Sequence, residues 1–570
     1  MSFETGRHTW KYGGDALLTR IENFFPALSG GEYLFSAIKV DPFTFVPEEG
    51  GLELTPLRAY AHGVPRYYIQ NFGRATTHPG TKEYAAFAQD TLRLRENLNV
   101  SLGVRYDLQS FSESGMLSNP LWPQSGRVPK ATNDFAPRFG FSWSLGDDRP
   151  LVIRGGFGVF YARIPQIYIS ALATNNGINS YNLILDSAKL QDRPYFPTYP
   201  NPLAACSESA NVCPPPPGIL SYLNGDVSAF APNYRTPQVQ QSSLSIEREL
   251  ARRTTATISF LHVHGLHLIR ARDVNLPPPV NVQYPVYDPQ GVNLLGYAQV
   301  DTFSTWQLTQ SFTCPYPPCI NPLARPIPQL AAINQFETEA SSQYNGLTVS
   351  LQRRLASGLY FRLGYTWAHA VDNGPDALIA GQPGTVQNSF ATSAEKASSV
   401  TDQRQRFVFS MVAEPHPVPG SQAFLAGILD HWKVAGVITV GSGRPYDAKV
   451  AGDPNQDGNS LNDRLPGLGR NALVGPAYRT TDTRLSRDFQ LTNSLRLSLM
   501  VDSFNLFNRL NKRVLVDSNG FQINAAQFVP FSQRDGATYY PAQYRRTSSP
   551  AATTGAYAPR QVQIAMRLIF

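Results

Sequence analysis

The last ten residues of the chain, Gln561–Phe570, read QVQIAMRLIF and alternate between apolar and other side chains. Because successive side chains of a strand point to opposite faces, one face of this segment is wholly apolar. That face carries Val562, Ile564, Met566, Leu568 and Phe570. A terminal strand with such a stripe and an aromatic last residue is typical of the closing strand of a lipid-embedded β-barrel, and we expect it to guide barrel assembly.

The composition favours a β protein that is poor in charge. Of the 570 residues, 42% are hydrophobic and only 16% are charged, against about 25% charged in an average soluble domain. The chain also has 43 Gly, 46 Pro and 11% aromatic residues, which suits many strands and turns. The net charge of +7 is dispersed without a basic run, so we expect no nucleic-acid partner.

Neither a spanning helix nor an export signal is visible in the sequence. The best apolar run, AFLAGIL at Ala423–Leu429, is far shorter than the roughly 20 residues that a transmembrane helix needs. The first residues, MSFETGRHTWKYGGD, have no basic region followed by an apolar core. We therefore expect strands to cross the membrane and the export signal to be missing from this chain.

Alternating segments of about ten residues recur along the chain, the length that a tilted membrane strand requires. In the segment Leu98–Asp107, for example, Leu, Val and Tyr occupy one face, and Asn, Ser, Gly, Arg and Asp occupy the other. We count about 14–16 such strands, which predicts an all-β, antiparallel transmembrane β-barrel that is incomplete or unclosed. A soluble sandwich or propeller is the alternative.

The connections between these strands are predicted to be short at one end and long at the other. This asymmetry is typical of outer-membrane barrels, whose external loops are long. We therefore treat residues 1–570 as one partial transmembrane domain, embedded in outer-membrane lipid. The predicted external loops are about 110–134, 164–236, 265–341, 370–403, 443–479 and 504–560.

Charged residues fall on the face opposite the apolar stripes. A charge pointing at hydrocarbon would cost about 2–4 kcal/mol at the middle of the membrane, so these side chains should line the lumen. The predicted lumen-facing residues are Arg105, Asp107, Arg138, Arg154, Arg362 and Arg496. They form either a track for a solute or solvated positions paired with nearby acids.

An ordered series of motifs resembles the barrel of Oar-like TonB-dependent outer-membrane receptors. The motifs are YAAFAQDTLRLRENLNVSLGVRYD, FAPRFGFSW, IRGGFGVFYARIP, TPQVQQSSLSIERELARRT, DQRQRFVFS, SGRPYD, DGNSLNDR and FNLFN. The resemblance covers about Arg7 to Phe570 and implies uptake or binding of a solute, which could be an iron chelate, a vitamin, a saccharide or a peptide. It also implies the barrel assembly machinery as a partner.

In that family an export signal, a carboxypeptidase-regulatory-like domain and a plug precede a barrel of about 22 strands. The sequence shows none of these preceding segments, so we expect an N-terminally truncated receptor without its plug. The TonB complex would be a partner only if a plug is supplied upstream. Two alternatives are an outer-membrane adhesion or scaffold protein without transport and a passive, porin-like channel.

The segment DPNQDGNSLNDR has the spacing of a calcium-binding loop. Asp453, Asn455 and Asp457 precede Gly458, and hard oxygen ligands at alternate positions followed by glycine suit Ca²⁺. Position twelve is an arginine rather than a bidentate glutamate, which excludes an EF-hand. The candidate ligands are Asp453, Asn455, Asp457, Asn459 and Asp463. The alternative is a solvated loop of Asx-turns without metal.

Four cysteines form two close pairs in the long connections. Cys206 lies near Cys213, and Cys314 lies near Cys319. In an exported protein, even and local pairs predict disulfides that stiffen external loops. A zinc site formed by all four thiolates is the alternative.

Motifs of hydrolases, zinc proteases and nucleotide-binding loops are missing from the sequence. The cluster His262, His264 and His267 has no acid close in sequence, so we interpret these residues as solvated loop histidines. We therefore predict that the protein is not an enzyme and carries no cofactor unless the acidic loop binds Ca²⁺.

Overall fold

The computed structural model describes most of the chain. The described residues are 1–24, 29–36, 38–48, 51–73, 76–112, 116–146, 149–178, 180–188, 192–203, 225–303, 325–356, 358–374, 385–415, 431–459, 461–514, 526–529, 532–534, 538–540, 543–546 and 555–570.

One large antiparallel sheet dominates the structure. Its strands are β1 (Ser2–Thr5), β2 (His8–Arg20), β3 (Gly80–Arg95), β4 (Leu98–Phe111), β5 (Asp134–Leu145), β6 (Leu151–Tyr161), β7 (Gln238–Ala251), β8 (Thr254–Asp273), β9 (Leu330–Ala356), β10 (Leu359–Asp372), β11 (Gln405–Ala413), β12 (Trp432–Gly441), β13 (Tyr478–Gln490), β14 (Arg496–Phe504) and β15 (Gln561–Ile569). Each of these strands pairs with its neighbour in this order. Two short strands add to the same sheet: Gly225–Phe230 pairs in parallel with β9, and Ala397–Ser398 pairs with the end of β10. The predicted all-β, antiparallel class is confirmed.

The sheet is open in the described residues, where no hydrogen-bonded pairing joins β1 to β15. This agrees with the expectation of an unclosed barrel. An open edge in hydrocarbon would leave backbone groups without partners, which is strongly unfavourable.

The ladder register keeps the apolar side chains of neighbouring strands on one face. Between β14 and β15, Leu499 lies opposite Met566 and Val501 lies opposite Ile564. These side chains are not covered by protein, since Ile564 is 80% exposed and Met566 is 69% exposed. A continuous apolar belt of this kind needs a partner or a lipid solvent.

Arg487 interrupts the apolar pattern of β13. In the structure it lies opposite Trp432 of β12. Its guanidinium carbon is 5.4 Å from the centroid of the Trp432 ring and 5.1 Å from that of Phe489. The charge is thus held against aromatic faces, an arrangement that stabilises arginine near a membrane interface.

Short turns join the strands at one end of the sheet, which we call the short end. Gly6 and Gly358 have φ values of +58° and +70° in two of these turns, a conformation that glycine adopts without strain. The connection from β11 to β12 is an exception, since it runs from residue 414 to 431. At the opposite, long end, the connection of residues 21–79 adds a long segment that the sequence analysis overlooked.

Strands β8 and β9 continue past the boundaries predicted for the loop 265–341, to Asp273 and from Leu330 respectively. Their register shifts between Gly265 and Leu268, and His267 has a φ of +56°. Such a bulge breaks the alternation of side chains, which is why the pattern ended early in the sequence.

The long connections carry smaller strands and helices, which together with their loops we call the external assembly, after the external position that the sequence predicts for these loops. The strands are Asn23–Phe24, Glu32–Leu34, Ile38–Val40, Leu52–Leu54, Tyr67–Gly73, Thr76–Thr77, Ser180–Asp186, Gly225–Phe230, Val280–Tyr287, Leu294–Thr302, Ala397–Ser398, Pro445–Tyr446, Val450–Ala451, Leu473–Val474, Lys512–Arg513, Ala526–Val529, Ser532–Arg534, Thr538–Tyr540, Gln543–Arg546 and Gly555–Ala556. The α-helices are Pro56–Ala61 and Gln166–Thr174, and 3₁₀ turns occupy Pro123–Gly126, Arg193–Tyr195 and Thr392–Glu395. Among the described helices, none has the length and apolar character required to cross a membrane.

The buried apolar cores lie mainly in this external assembly. One core contains Val282, Tyr284, Val300, Val450, Phe528 and Tyr544. These residues come from three connections that are far apart in sequence. Burial of such side chains contributes roughly 1.5–3 kcal/mol for each large apolar residue, so the long connections are packed together rather than merely tethered.

Candidate functional site

The face of the sheet opposite the apolar belt carries ion pairs. Arg105 Nε lies 2.8 Å from Asp107 Oδ1, and Arg105 Nη2 lies 3.1 Å from Asp15 Oδ2. Arg154 Nη1 lies 3.2 Å from Glu247 Oε2 on the adjacent strand. Arg105 and Arg154 on this face are therefore each balanced by an acid.

The other predicted lumen residues are spread around the sheet. The guanidinium of Arg138 lies 4.8 Å from the ring centroid of Phe160. Arg496 Nη1 is 3.8 Å from Asp488 Oδ2, and Arg362 lies in register between residues of β9 and β11. Of the six predicted residues, the structure brings only Arg105 and Asp107 into direct contact.

Two further pairs on this face were missed by the sequence analysis. Arg484 makes a bidentate contact with Asp502, with distances of 2.6 and 2.8 Å. Arg163 Nη1 lies 2.9 Å from Glu83 Oε2. The sequence could have revealed the first pair, because its two opposite charges lie on the same face of neighbouring strands.

The acidic loop 453–463 lies in the external assembly, after the short strand Val450–Ala451. Asp453 accepts hydrogen bonds from the backbone N–H groups of Asp457 and Gly458, at 3.2 and 3.0 Å. Asn455 Oδ1 also accepts from Asp457, and Asp457 Oδ1 accepts from the N–H of Asn459 at 2.7 Å. The alternating Asp and Asn residues thus fold the loop by Asx-turns.

Other connections of the external assembly hold this loop in place. Asn455 Nδ2 donates to the carbonyl oxygen of Gln387 at 3.0 Å, and the Asn455 carbonyl accepts from the N–H of Phe303 at 2.7 Å. Asn462 Nδ2 donates both to the Val386 carbonyl, at 3.1 Å, and to Asp457 Oδ2, at 3.0 Å. Asn462 is a contributor that the sequence analysis did not select.

Asp463 is the most deeply buried acid of the loop. Its residue is 0% exposed, and neither carboxylate oxygen has a hydrogen-bond partner in the described structure. Burial raises the pKa of Asp463 well above its usual range, and the nearby carboxylates of Asp457 and Asp453 raise it further. Lys449 and Arg464 oppose that rise but do not cancel it.

The other two acids respond to the same environment. Burial raises the pKa of Asp457 to about 7, and the carboxylate of Asp453 adds to the rise. Burial also raises the pKa of Asp453, although N–H groups of the loop oppose this. In the described residues, no three His, Cys, Asp or Glu side chains form a group that could hold a metal ion by themselves.

A network of buried charges adjoins the loop, and the sequence analysis did not anticipate it. Arg464 Nη2 lies 2.7 Å from Glu395 Oε1, and the Glu395 carbonyl accepts from Arg470 Nε at 2.8 Å. Arg470 is also paired with Asp372 at the end of β10. No spacing within the sequence relates these residues, because they meet only after the connections fold together.

The three histidines of the sequence analysis lie within β8 rather than in a loop. His262 Nδ1 is 2.7 Å from Asn345 Oδ1 of β9. The ring centroids of His262 and His264 are 6.4 Å apart. The interpretation as loop histidines is therefore wrong, because the strand continues past the bulge. All four cysteines, and with them the predicted disulfides, lie outside the described residues.

Comparison with known proteins adds a family match. A family model described as "Outer membrane beta barrel domain" matches residues 1–469. A search of curated proteins gave no match.

Among solved structures, the chain is similar to the outer membrane transporter YddB from Escherichia coli, at 10% identity and a TM-score of 0.47, over 92% of this chain and 50% of that one. It is also similar to the FrpB iron transporter from Neisseria meningitidis, at 11% identity and a TM-score of 0.44, over 99% of this chain and 53% of that one. The ferripyoverdine receptor of Pseudomonas aeruginosa gives 12% identity and a TM-score of 0.44, over 100% of this chain and 47% of that one. The chain spans about half the length of these proteins.

Proposed function

Because this chain belongs to the family of outer membrane β-barrel domains, we propose that it forms the barrel of an Oar-like TonB-dependent receptor that binds and takes up a solute. The protein is integral to the bacterial outer membrane. The exposed apolar belt of the sheet contacts lipid, and the closing strand β15 is the segment that the barrel assembly machinery would engage.

The observation that carries this proposal is the packed external assembly. Its cores combine side chains from separate long connections, as Tyr284, Val450 and Tyr544 do. A surface built on such cores is preorganised, and recognition by a preorganised surface loses less conformational entropy than recognition by free loops. A channel for passive diffusion has no need of this construction, whereas a receptor does.

The charged face of the sheet is compatible with passage of a polar solute. Arg105, Asp107 and Asp15 lie together on it, and Arg484 and Asp502 form a second group. Paired charges of both signs give a polar lining without a strong net field of one sign. We expect binding and transport rather than catalysis.

The gene upstream of codon 1 offers a direct test. A receptor requires a plug and a TonB box, so both should be encoded in frame before this segment. An in-frame stop codon just upstream would contradict the proposal, and steady conductance of the purified chain in planar bilayers would then favour a passive pore.

A further inference from the structure

A row of polar side chains crosses the lipid-facing side of the sheet near its long end. The ladder register of β8, β9 and β10 shows where the apolar belt stops. Its last apolar row consists of Phe260, Leu347 and Trp367. The next row toward the long end, which we call the polar row, consists of His262, Asn345 and His369. Since alternate residues of a strand share a face, the polar row lies on the same side of the sheet as the belt.

The level of the polar row follows from the geometry of β9. Asn345 is eight residues from Arg353, which lies near the short end. A strand rises about 3.3 Å per residue and tilts by about 40°, so this stretch covers roughly 20 Å of an apolar band about 25 Å tall. Trp367 of the last apolar row is 60% exposed, which is typical of an aromatic side chain at a membrane interface. The polar row therefore lies where acyl chains give way to lipid headgroups.

Contacts within the sheet orient the polar row and leave some of its groups free. His262 Nδ1 lies 2.7 Å from Asn345 Oδ1, and because an amide oxygen only accepts, Nδ1 donates. Arg404 Nη2 lies 2.7 Å from His369 Nε2, and because a guanidinium only donates, His369 carries its proton on Nδ1. Within the described residues, His262 Nε2, Asn345 Nδ2 and His369 Nδ1 make no hydrogen bond.

The chemistry of this surface suits an uncharged, hydroxyl-rich group. The charge of Arg404 is balanced by buried Asp402, whose Oδ2 lies 2.8 Å from Arg404 Nε. The free groups include the donors Asn345 Nδ2 and His369 Nδ1, and His262 Nε2 is an acceptor in the neutral ring. Hydroxyl groups both donate and accept. The exposed ring of Trp367 adds an apolar face against which a sugar ring can pack.

The polar row is local and does not continue around the sheet. On β4 and β5, the lipid-facing side near the long end is aromatic, with the ring centroids of Tyr106 and Phe135 4.8 Å apart. Phe135 is 58% exposed. A general preference of the interface for polar side chains would act on all strands alike, so it does not explain this difference. A headgroup bound at one place on the sheet does.

We propose that the polar row binds the sugar headgroup of a glycolipid in the outer leaflet of the membrane. The occupant is a lipid, because the apolar row beside it contacts acyl chains and a headgroup is continuous with them. Asn345 and His369 donate to sugar hydroxyls, and His262 Nε2 accepts from one. The proposal rests on the predicted external position of the long end and on the lipid-facing side of the sheet, and it does not depend on transport of a solute.

The test measures which lipid stays with the full chain. The chain is refolded into phosphatidylcholine vesicles that contain a minor share of galactosyl diacylglycerol, and parallel vesicles contain phosphatidylglycerol instead. After extraction into a zwitterionic detergent without sugar, the lipid that remains bound is quantified by mass spectrometry. The galactosyl lipid should be enriched about tenfold over its share of the vesicle lipid, as a few net hydrogen bonds allow. Phosphatidylglycerol should stay near its share.

Two variants and one control make the test specific to the polar row. Asn345→Leu and His262→Leu extend the apolar belt by one level, so both variants should insert, and both should lose most of the enrichment. Gln241→Leu is the matched control, because this exposed residue of β7 lies opposite Val263 and shares the charged face with Glu247. It should retain the galactosyl lipid as the wild type does.

Four results would overturn the proposal. The first is a galactosyl lipid content equal to its vesicle share in the wild type. The second is equal enrichment of phosphatidylglycerol, which would assign the polar row to anionic headgroups. The third is unchanged enrichment in whichever of the two variants inserts, which would place the lipid elsewhere. The fourth is an equal loss in the Gln241→Leu control.

Discussion

Replacing Val349 with arginine tests which face of the sheet meets hydrocarbon. Val349 lies in β9 opposite Ile258 and Tyr365, and it is 41% exposed. Val349 is four residues from Arg353, which lies near the short end. A strand rises about 3.3 Å per residue and tilts by about 40°, so Val349 lies roughly 10 Å deeper than Arg353 in an apolar band about 25 Å tall.

This position is therefore close to the middle of the membrane, where an arginine on the lipid face costs about 2–4 kcal/mol. The valine contacts add little to this cost, because the aliphatic stem of arginine covers similar surface. Since about 1.4 kcal/mol is a factor of ten, the folded-to-unfolded ratio should fall about 30- to 700-fold.

Ser350→Arg is the matched control, because Ser350 is the next residue and points to the other face. It lies opposite Thr257 and Gly364, and a Cβ built at Gly364 would meet no heavy atom within 4 Å. The aqueous side has room for a long cation, so the change should stay within about 0.5 kcal/mol.

Both variants can be measured by guanidinium unfolding of the chain inserted in phosphatidylcholine vesicles, with tryptophan fluorescence as the signal. Equal losses in the two variants, or a silent Val349→Arg, would refute the assignment of the lipid-facing side.

Three further predictions concern individual contacts. Arg487→Ala should lower the free energy of unfolding in the same vesicle assay by about 1 kcal/mol, because it removes the cation–π contact with Trp432; a rise would contradict the interfacial position. Glu395→Gln should destabilise the external assembly by about 3–5 kcal/mol, because buried Arg464 loses its counter-charge, whereas Arg470 keeps Asp372. Proteolysis of that assembly should quicken, while the sheet should keep its heat resistance in detergent. Gly443→Ala should also speed proteolysis of this assembly, because a Cβ at residue 443 would collide with the Gly475 carbonyl. Proteolysis of the variant at the wild-type rate would show that the two backbones are not in close approach.

The amino-acid sequence alone determined the class of the sheet and the direction of its faces. In β15 and β14, alternation by itself places Met566 and Leu499 on one face, and the register agrees. The prediction of faces succeeds because the side chains of a strand alternate with a period of two, so neighbouring residues are enough to assign each side chain to a face. The same prediction failed at β8, where the bulge near His267 interrupts the alternation.

The tertiary structure alone decided the character of the external assembly. The spacing of Asp453 and Asp457 marked a candidate cation loop, but only folding buries Asp463 completely and leaves its oxygens unpaired in the described residues. Likewise, Glu395 meets Arg464 across 69 residues of sequence. Burial and long-range charge pairing depend on where distant connections pack, and no local pattern of side chains encodes that.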